Sequence, residues 1–322
     1  MSRNINWGII GTGNIAKKFA LALQHVPNSK LMAIASRNEV SANEFAAKYN
    51  IQKSYGSYLE LALDNEIDVV YIATPHVFHF DNTMMCLNNN KAVLCEKPFA
   101  MNNDEVKQMI ALAREKNLFL MEALWTRFLP SIIKTMELIE NDTIGQIIQL
   151  KSDFGFKANF DPNGRIFNKA LGGGSLLDIG IYPVFISLLL LGYPNEILSK
   201  AIIGKTDIDE SIAMIFKYDT GALANLASTF MSQTFIETDI YGTKGRIRIN
   251  NPWFMAKSVS LTLSDGRKED YHFDFICNGY EYEAMEVTKC LLEGKTESTI
   301  MTHDFSLKLI GLLDEVRRQN DF

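Results

Sequence analysis

Apolar and polar positions change rhythm repeatedly along the first third of the chain. Trp7-Gly8-Ile9-Ile10 is a short apolar run closed by Gly11. Residues 14–24 follow with helical spacing and put Ile15, Phe19, Ala22 and Leu23 on the apolar side. The pattern next predicts a strand over 31–35, a helix over 40–49 and a strand over 68–74. That last stretch, DVVYIAT, is almost wholly apolar, as a strand buried on both faces should be. A helix over 76–87, a strand over 92–95, a helix over 104–116 and a strand over 118–121 complete the series. Such alternation predicts a parallel sheet covered by helices on both faces.

The second half reads differently. Residues 147–154 alternate like a strand with one wet face, and 179–191 form an apolar helix. Strand-like stretches at 197–203, 211–218, 222–230, 235–241 and 259–263 are separated by turn signals such as Asp219-Thr220-Gly221 and Asp265-Gly266. Successive strands with short turns predict an antiparallel sheet. Amphipathic helices over 282–292 and 304–318 close the chain. The expected fold class is α/β: a doubly wound parallel sheet over 1–123, then an α+β domain with a large, open, mainly antiparallel sheet over 124–322.

Composition narrows the function classes. With 322 residues, 47% hydrophobic and 22% charged, the chain is an ordinary globular one of about two domains. Its net charge is 32 − 38 = −6, with no Lys/Arg run, so nucleic acid is not an expected partner. Cys86, Cys95, Cys277 and Cys290 form no Cys-x-x-Cys pair and are expected to be free thiols of a reducing cytosol. No signal-like apolar stretch stands near the start, and the run 179–191 is shorter than a membrane span. A cytoplasmic protein without a membrane partner is the expectation.

Gly11-Thr12-Gly13-Asn14-Ile15-Ala16 is a G-x-G-x-x-A fingerprint placed between a strand and a helix. The first glycine permits the tight turn, the second lets a pyrophosphate approach, and Ala16 lets the helix pack closely. Free N–H groups at the helix start then favour the phosphates. Enzymes using NAD carry Asp or Glu about 20 residues on, for the ribose 2′-hydroxyl. Here the second strand ends in Ser36-Arg37, which suits a 2′-phosphate, so NADP is expected over NAD. Glu39 carries the competing reading.

Cys95-Glu96-Lys97-Pro98 lies just past a strand's carboxyl end, where open α/β sheets bind ligands. At this point the chain resembles the glucose–fructose oxidoreductase and inositol dehydrogenase (Gfo/Idh/MocA) family. The resemblance rests on Gly11–Ala16, on Val93-Leu94-Cys95-Glu96-Lys97-Pro98-Phe99, and on the GGGSLLDIGIYP run that starts at Gly172. Glu122-Ala123-Leu124-Trp125-Thr126-Arg127-Phe128, Asp153-Phe154-Gly155-Phe156, Arg165-Ile166-Phe167-Asn168 and Asn278-Gly279-Tyr280 are similar to its dimeric dihydrodiol dehydrogenase and NADP-dependent xylose dehydrogenase branch.

The resemblance implies site residues. Lys97 would lie near the nicotinamide ribose, with a cis peptide before Pro98. Tyr182 would be the general acid/base, where many relatives have His. Asp178 and Phe154 would contact substrate, Trp125 and Arg127 would line the cofactor and substrate cleft, and Thr74, Pro75, His79 and Glu96 would border the cofactor. Gly11, Thr12, Gly13, Asn14 and Ile15 would hold the pyrophosphate, with Ser36 and Arg37 at the adenosine end. No metal is implied. A homodimer formed through the second sheet is.

The proposed chemistry is coherent. Hydride leaving an alcohol carbon must be matched by loss of the hydroxyl proton. Tyrosine, with a pKa of about 10, is a poor base unless a cation favours its phenolate. Alternatives remain open in the sequence. Ser175-x-x-Asp178 could be a helix capping box, Tyr182 a core tyrosine, and His76 with His79 a fragment of a metal site. The whole could also be a dinucleotide-sensing regulator, or a redox-neutral enzyme with a tightly held cofactor.

Overall fold

The structure, a computed structural model, describes residues 3–322. In chain order the first elements are β1 (Ile5–Ile10), α1 (Asn14–Leu23), β2 (Ser29–Ala35), α2 (Glu39–Tyr49), β3 (Lys53–Tyr55), α3 (Tyr58–Leu63) and β4 (Val69–Ile72). They continue with α4 (His79–Asn88), β5 (Ala92–Glu96), α5 (Asn103–Glu115) and β6 (Leu120–Ala123). Then come α6 (Pro130–Glu140), β7 (Ile147–Gly155), α7 (Ile181–Leu191), β8 (Glu196–Ile203), β9 (Asp209–Lys217) and β10 (Leu223–Thr229). The chain ends with β11 (Thr238–Gly242), β12 (Gly245–Ile249), β13 (Ser258–Leu263), β14 (Lys268–His272), α8 (Tyr280–Leu292) and α9 (His303–Arg318).

Two compact units result. The first holds residues up to Trp125 together with Phe275–Leu307, and the second holds Thr126–Asp274 with Lys308–Phe322. A single cut near Ala123 therefore misassigns 275–307: α8 packs on α1 and β1 of the first unit. Sequence pattern cannot show such a return, because an amphipathic helix declares an apolar face without declaring its partner.

In the first unit six parallel strands lie in the order β3-β2-β1-β4-β5-β6. Strand order reverses between β1 and β4, and that is where an open α/β sheet leaves a crevice. Trp7, Phe19 and Tyr71 fill the face under α1: Trp7 meets Phe19 at 5.4 Å, and Phe19 stacks on Tyr71 at 3.7 Å. All three are fully buried.

The second unit carries eight strands in the order β14-β13-β12-β11-β7-β10-β9-β8. Neighbours run antiparallel except β7 and β10, which pair in parallel, Leu226 opposite Ser152. Reading successive strands as a simple meander does not anticipate that pair. β14 gave no signal because KEDYH is polar on both faces of an edge strand. β12 departs from the expected turn: Ile247 and Ile249 alternate with Arg246 and Arg248, but Gly242 and Gly245 around its start read as turn residues. β3, α3 and α6 were also not anticipated. The segment Lys169–Leu191 is long and apolar enough to cross a membrane, yet 78% of its most apolar window is buried inside the fold, as in a core helix. All four cysteines are free thiols.

Candidate functional site

The Gly11 turn is locked by its neighbours. Gly11 N–H donates to the Ala35 carbonyl at 2.9 Å, and Ala73 N–H donates to the Ile10 carbonyl at 2.8 Å. Gly11 has φ +104°, and a Cβ there would lie 2.8 Å from the Ala73 carbonyl oxygen. Gly13 is the N-cap of α1, carries no side-chain cap, and would have nothing within 4 Å of an added Cβ. Ala16 is fully buried against the sheet. With Thr12, Asn14 and Ile15, this makes open space faced by a helix start without an acidic residue in its first turn. A dinucleotide pyrophosphate fits that cradle.

At the end of β2, Ser36 is buried and its Oγ accepts from Asn38 N–H at 3.3 Å. Arg37 is exposed, with its guanidinium carbon 5.4 Å from the Phe78 ring centroid and the Tyr58 hydroxyl beside it. Asn38 caps α2 through Ser41 N–H at 3.2 Å. Glu39 opens α2, and its Cβ backs onto Gly56. The strand end thus presents a cation and a hydroxyl, and the next carboxylate along the chain, Glu39, comes two residues after Arg37.

β5 delivers Glu96 and Lys97 to the same crevice end, and the Lys97–Pro98 peptide is cis. Glu96 Oε2 accepts from Lys97 N–H at 3.2 Å, and Tyr71 donates its hydroxyl proton to Glu96 Oε1. Burial pushes the Glu96 carboxyl up to about 7, partly offset by Tyr71 and Lys97. Thr74 Oγ1 accepts from Asn82 Nδ2 at 3.2 Å, next to the half-buried Pro75. His79 is 1% exposed, with Nδ1 2.8 Å from the Pro98 carbonyl and Nε2 2.9 Å from the Thr74 carbonyl. Burial holds its pKa down to about 4. The ring is therefore neutral near pH 7 and can donate to only one carbonyl at a time. It braces the loops that end β4 and β5. Trp125 stacks on Tyr280 at 4.3 Å and 4°, leaving the indole 4% exposed.

The second unit gathers the residues expected to touch substrate. A π-helical turn, Leu176–Gly180, precedes α7 and carries Asp178. Arg165 donates to both Asp178 oxygens, Nη1 to Oδ1 at 3.0 Å and Nη2 to Oδ2 at 3.1 Å. Asp178 is not a helix cap: Ser175 makes no side-chain cap bond, and its Oγ donates to Asp209 at 2.8 Å instead. Asp209 accepts Leu176 N–H at 2.6 Å and so does the capping that the Ser175 spacing suggested. Tyr182 is 6% exposed in an aromatic nest, with Phe154 at 5.6 Å, Phe254 at 5.4 Å and Trp253 edge-on at 6.4 Å. Phe154 and Phe254 stack at 4.3 Å. Arg127 stands half-buried on a short 3₁₀ turn, Trp125–Phe128.

Arg165, Trp253 and Phe254 join the site without being marked by the sequence, although Arg165 stands in the Arg165-Ile166-Phe167-Asn168 motif. Their signal was weak: two aromatics after Asn251-Pro252 read as a turn. Among the described residues no group of three His, Cys, Asp or Glu is placed to hold a metal ion, so His76 and His79 lack a third ligand.

Comparison with known proteins gives the family and the fold. A family described as an oxidoreductase family with an NAD-binding Rossmann fold matches residues 5–124. The GFO/IDH/MocA C-terminal domain matches residues 132–248. The chain is 39% identical over 322 residues to a trans-1,2-dihydrobenzene-1,2-diol dehydrogenase of Xenopus laevis, covering 97% of each. The Homo sapiens protein of that name is 36% identical over 328 residues, covering 98% of this chain and 96% of its own. Among solved structures, levoglucosan dehydrogenase with NADH and levoglucosan superposes with a TM-score of 0.90 at 21% identity, covering 99% and 98% of the two chains. KijD10, a 3-ketoreductase from Actinomadura kijaniata solved with NADP and TDP-benzene, gives 0.89 at 24% identity with the same coverage. At these identities the two structures establish the fold.

Proposed function

The chain belongs to the Gfo/Idh/MocA oxidoreductase family and is an NAD(P)-dependent oxidoreductase, and from that premise we propose that it moves hydride between NADP and a CH–OH or carbonyl carbon of a sugar, diol or related small molecule. The observation that carries the reading is Tyr182, a hydroxyl held in a nearly dry aromatic nest within four residues of an arginine-braced carboxylate. The bound nicotinamide supplies hydride acceptance and donation. Tyr182 Oη takes the substrate hydroxyl proton in oxidation and returns it in reduction. Asp178 accepts a substrate hydrogen bond, and the two-point bond from Arg165 holds that carboxylate's plane. Phe154 packs against the substrate's carbon face. Lys97 supplies a cation at the cofactor's ribose end, with Glu96 behind it. Thr74, Pro75, Trp125 and Arg127 border the cofactor by the same reading.

NADP is favoured over NAD because Ser36 and Arg37 directly follow β2, where a carboxylate would otherwise meet the 2′-hydroxyl. A homodimer is proposed through the second sheet. Leu198, Ile202 and Ile215 are 57%, 63% and 45% exposed on neighbouring strands β8 and β9, with Leu198 directly opposite Ile215. The cytosol is the proposed compartment, in keeping with the free thiols.

Arg37→Asp should weaken NADPH binding by roughly tenfold or more and NADH binding much less, read by fluorescence titration. Equal losses, or a wild-type preference for NADH, would contradict the cofactor assignment. Light scattering should give about twice the 36.3 kDa chain mass; a single-chain mass at micromolar concentration would remove the dimer. Tyr182→Phe keeps the ring and removes the acid, so turnover on aldoses, trans-diols or dicarbonyls should fall roughly 10²-fold or more with cofactor affinity unchanged. Normal turnover with a stability loss of about 1 kcal/mol would make Tyr182 a core residue.

A further inference from the structure

The face of the first sheet that lies under α1 and α8 contains a carboxyl group with no visible purpose. Glu283, on α8, is 0% exposed, and neither of its oxygens has a hydrogen-bond partner. Buried polar atoms are nearly always paired, so an orphaned carboxyl needs an explanation. Its neighbours supply one. Tyr71 and Glu96 share this face, because Tyr71 pairs with Leu94, two residues before Glu96 on the same strand. Tyr71 donates a hydrogen bond from its hydroxyl to Glu96 Oε1, leaving Oε2 for the Lys97 N–H. Glu283 lies close enough to both Tyr71 and Glu96 to act on them electrostatically. Tyr71 cannot give up its proton here, since burial and these two carboxyls drive its pKa well above the usual tyrosine value.

Two carboxyls in one dry space cannot both ionise cheaply. We propose that Glu96 and Glu283 act as one coupled acid pair of which only one member is ionised, and that this pair is the positioning element behind Lys97. Glu283 holds the proton in the dry interior. Glu96 keeps the charge, which anchors the Lys97 peptide N–H and balances its ammonium. The other titratable or charged groups facing Glu96 are Lys18 from α1, Tyr71 from β4, Cys95 from β5 and Glu122 from β6, and Tyr280 of α8 faces Tyr71. The lysines favour the ionised form and Glu122 opposes it. Burial is the largest influence on both members, raising Glu96 to about 7 and Glu283 well beyond the ordinary carboxyl range.

The proposal rests on the reading of Lys97 as a site residue, but its first test does not need a substrate. A carboxyl whose folded pKa is raised contributes stability that is present at low pH and lost as pH rises through that value. Glu283→Gln has no proton to lose. Full-length wild type and variant should melt together at pH 5, and the variant should melt higher, by roughly 2 °C or more, at pH 8.5. The second readout moves only if the pair acts through Lys97. In the wild type, ionisation of Glu283 at high pH would put a second charge beside Glu96, so Glu283→Gln should extend the alkaline limb of the pH–turnover profile upward by roughly one unit and leave the acid limb in place. Glu96→Gln, which keeps an acceptor for the Lys97 N–H, should remove the alkaline limb's dependence on Glu283. A melting difference that does not change with pH, superimposable turnover profiles, or failure of Glu283→Gln to fold at pH 5 would each overturn the pair. An inactive wild type that still shows the pH-dependent melting difference would sink the oxidoreductase reading and leave the pair standing.

Discussion

The close approach of Gly11 to the Ala73 carbonyl is the constraint on which the first unit turns. β1 is pinned between β2 and β4 by hydrogen bonds on both sides of the turn, and the turn has no room for a Cβ. The chain must leave the sheet there, at the point where strand order reverses, and α1 must begin in the crevice. Everything expected of the cofactor follows from that placement: exposed helix N–H groups, open space at Gly13, and the ends of β2 and β5 brought to the same rim of the sheet. An L-residue at Gly11 would meet both backbone strain and a carbonyl at 2.8 Å.

Dryness is the second recurring theme. His79 is neutral because it is buried, so it braces loops without carrying charge. Glu96, Glu122 and Asp209 are all pushed upward by desolvation, to about 7, about 7 and about 6. Each is held by specific donors: Glu122 by Phe99 N–H at 3.0 Å, Asp209 by Leu176 N–H. Buried carboxyls at the ends of β5, β6 and β9 therefore organise backbone next to the residues expected to do chemistry. Asp178 is different. It is 14% exposed and tied in a two-point bond to Arg165, a geometry that fixes its plane while keeping it accessible.

Legibility in the sequence followed the range of the interactions. The strand–helix alternation and the glycine turn depend on neighbours within a few residues, and both were readable. The long motifs carried Lys97, Asp178 and Tyr182 together. The return of α8 to the first unit was not readable, because nothing in Tyr280 or Glu283 says which sheet they face. Ser175-x-x-Asp178 misled for a related reason: its spacing matched a local cap, while the actual cap, Asp209, comes from 33 residues away. The Phe154, Trp253 and Phe254 nest around Tyr182 likewise brings two distant stretches to the helix that carries Tyr182, each ordinary alone.

The most direct test of the account is a substitution at Gly13, where the structure offers space but no protein neighbour within 4 Å. If that space belongs to the pyrophosphate, Gly13→Val should fold and melt like the wild type yet lose at least about tenfold in affinity for both NADPH and NADH, measured by fluorescence titration. A well-folded Gly13→Val protein that binds either dinucleotide as tightly as the wild type would contradict the placement of the cofactor on the β1–α1 turn.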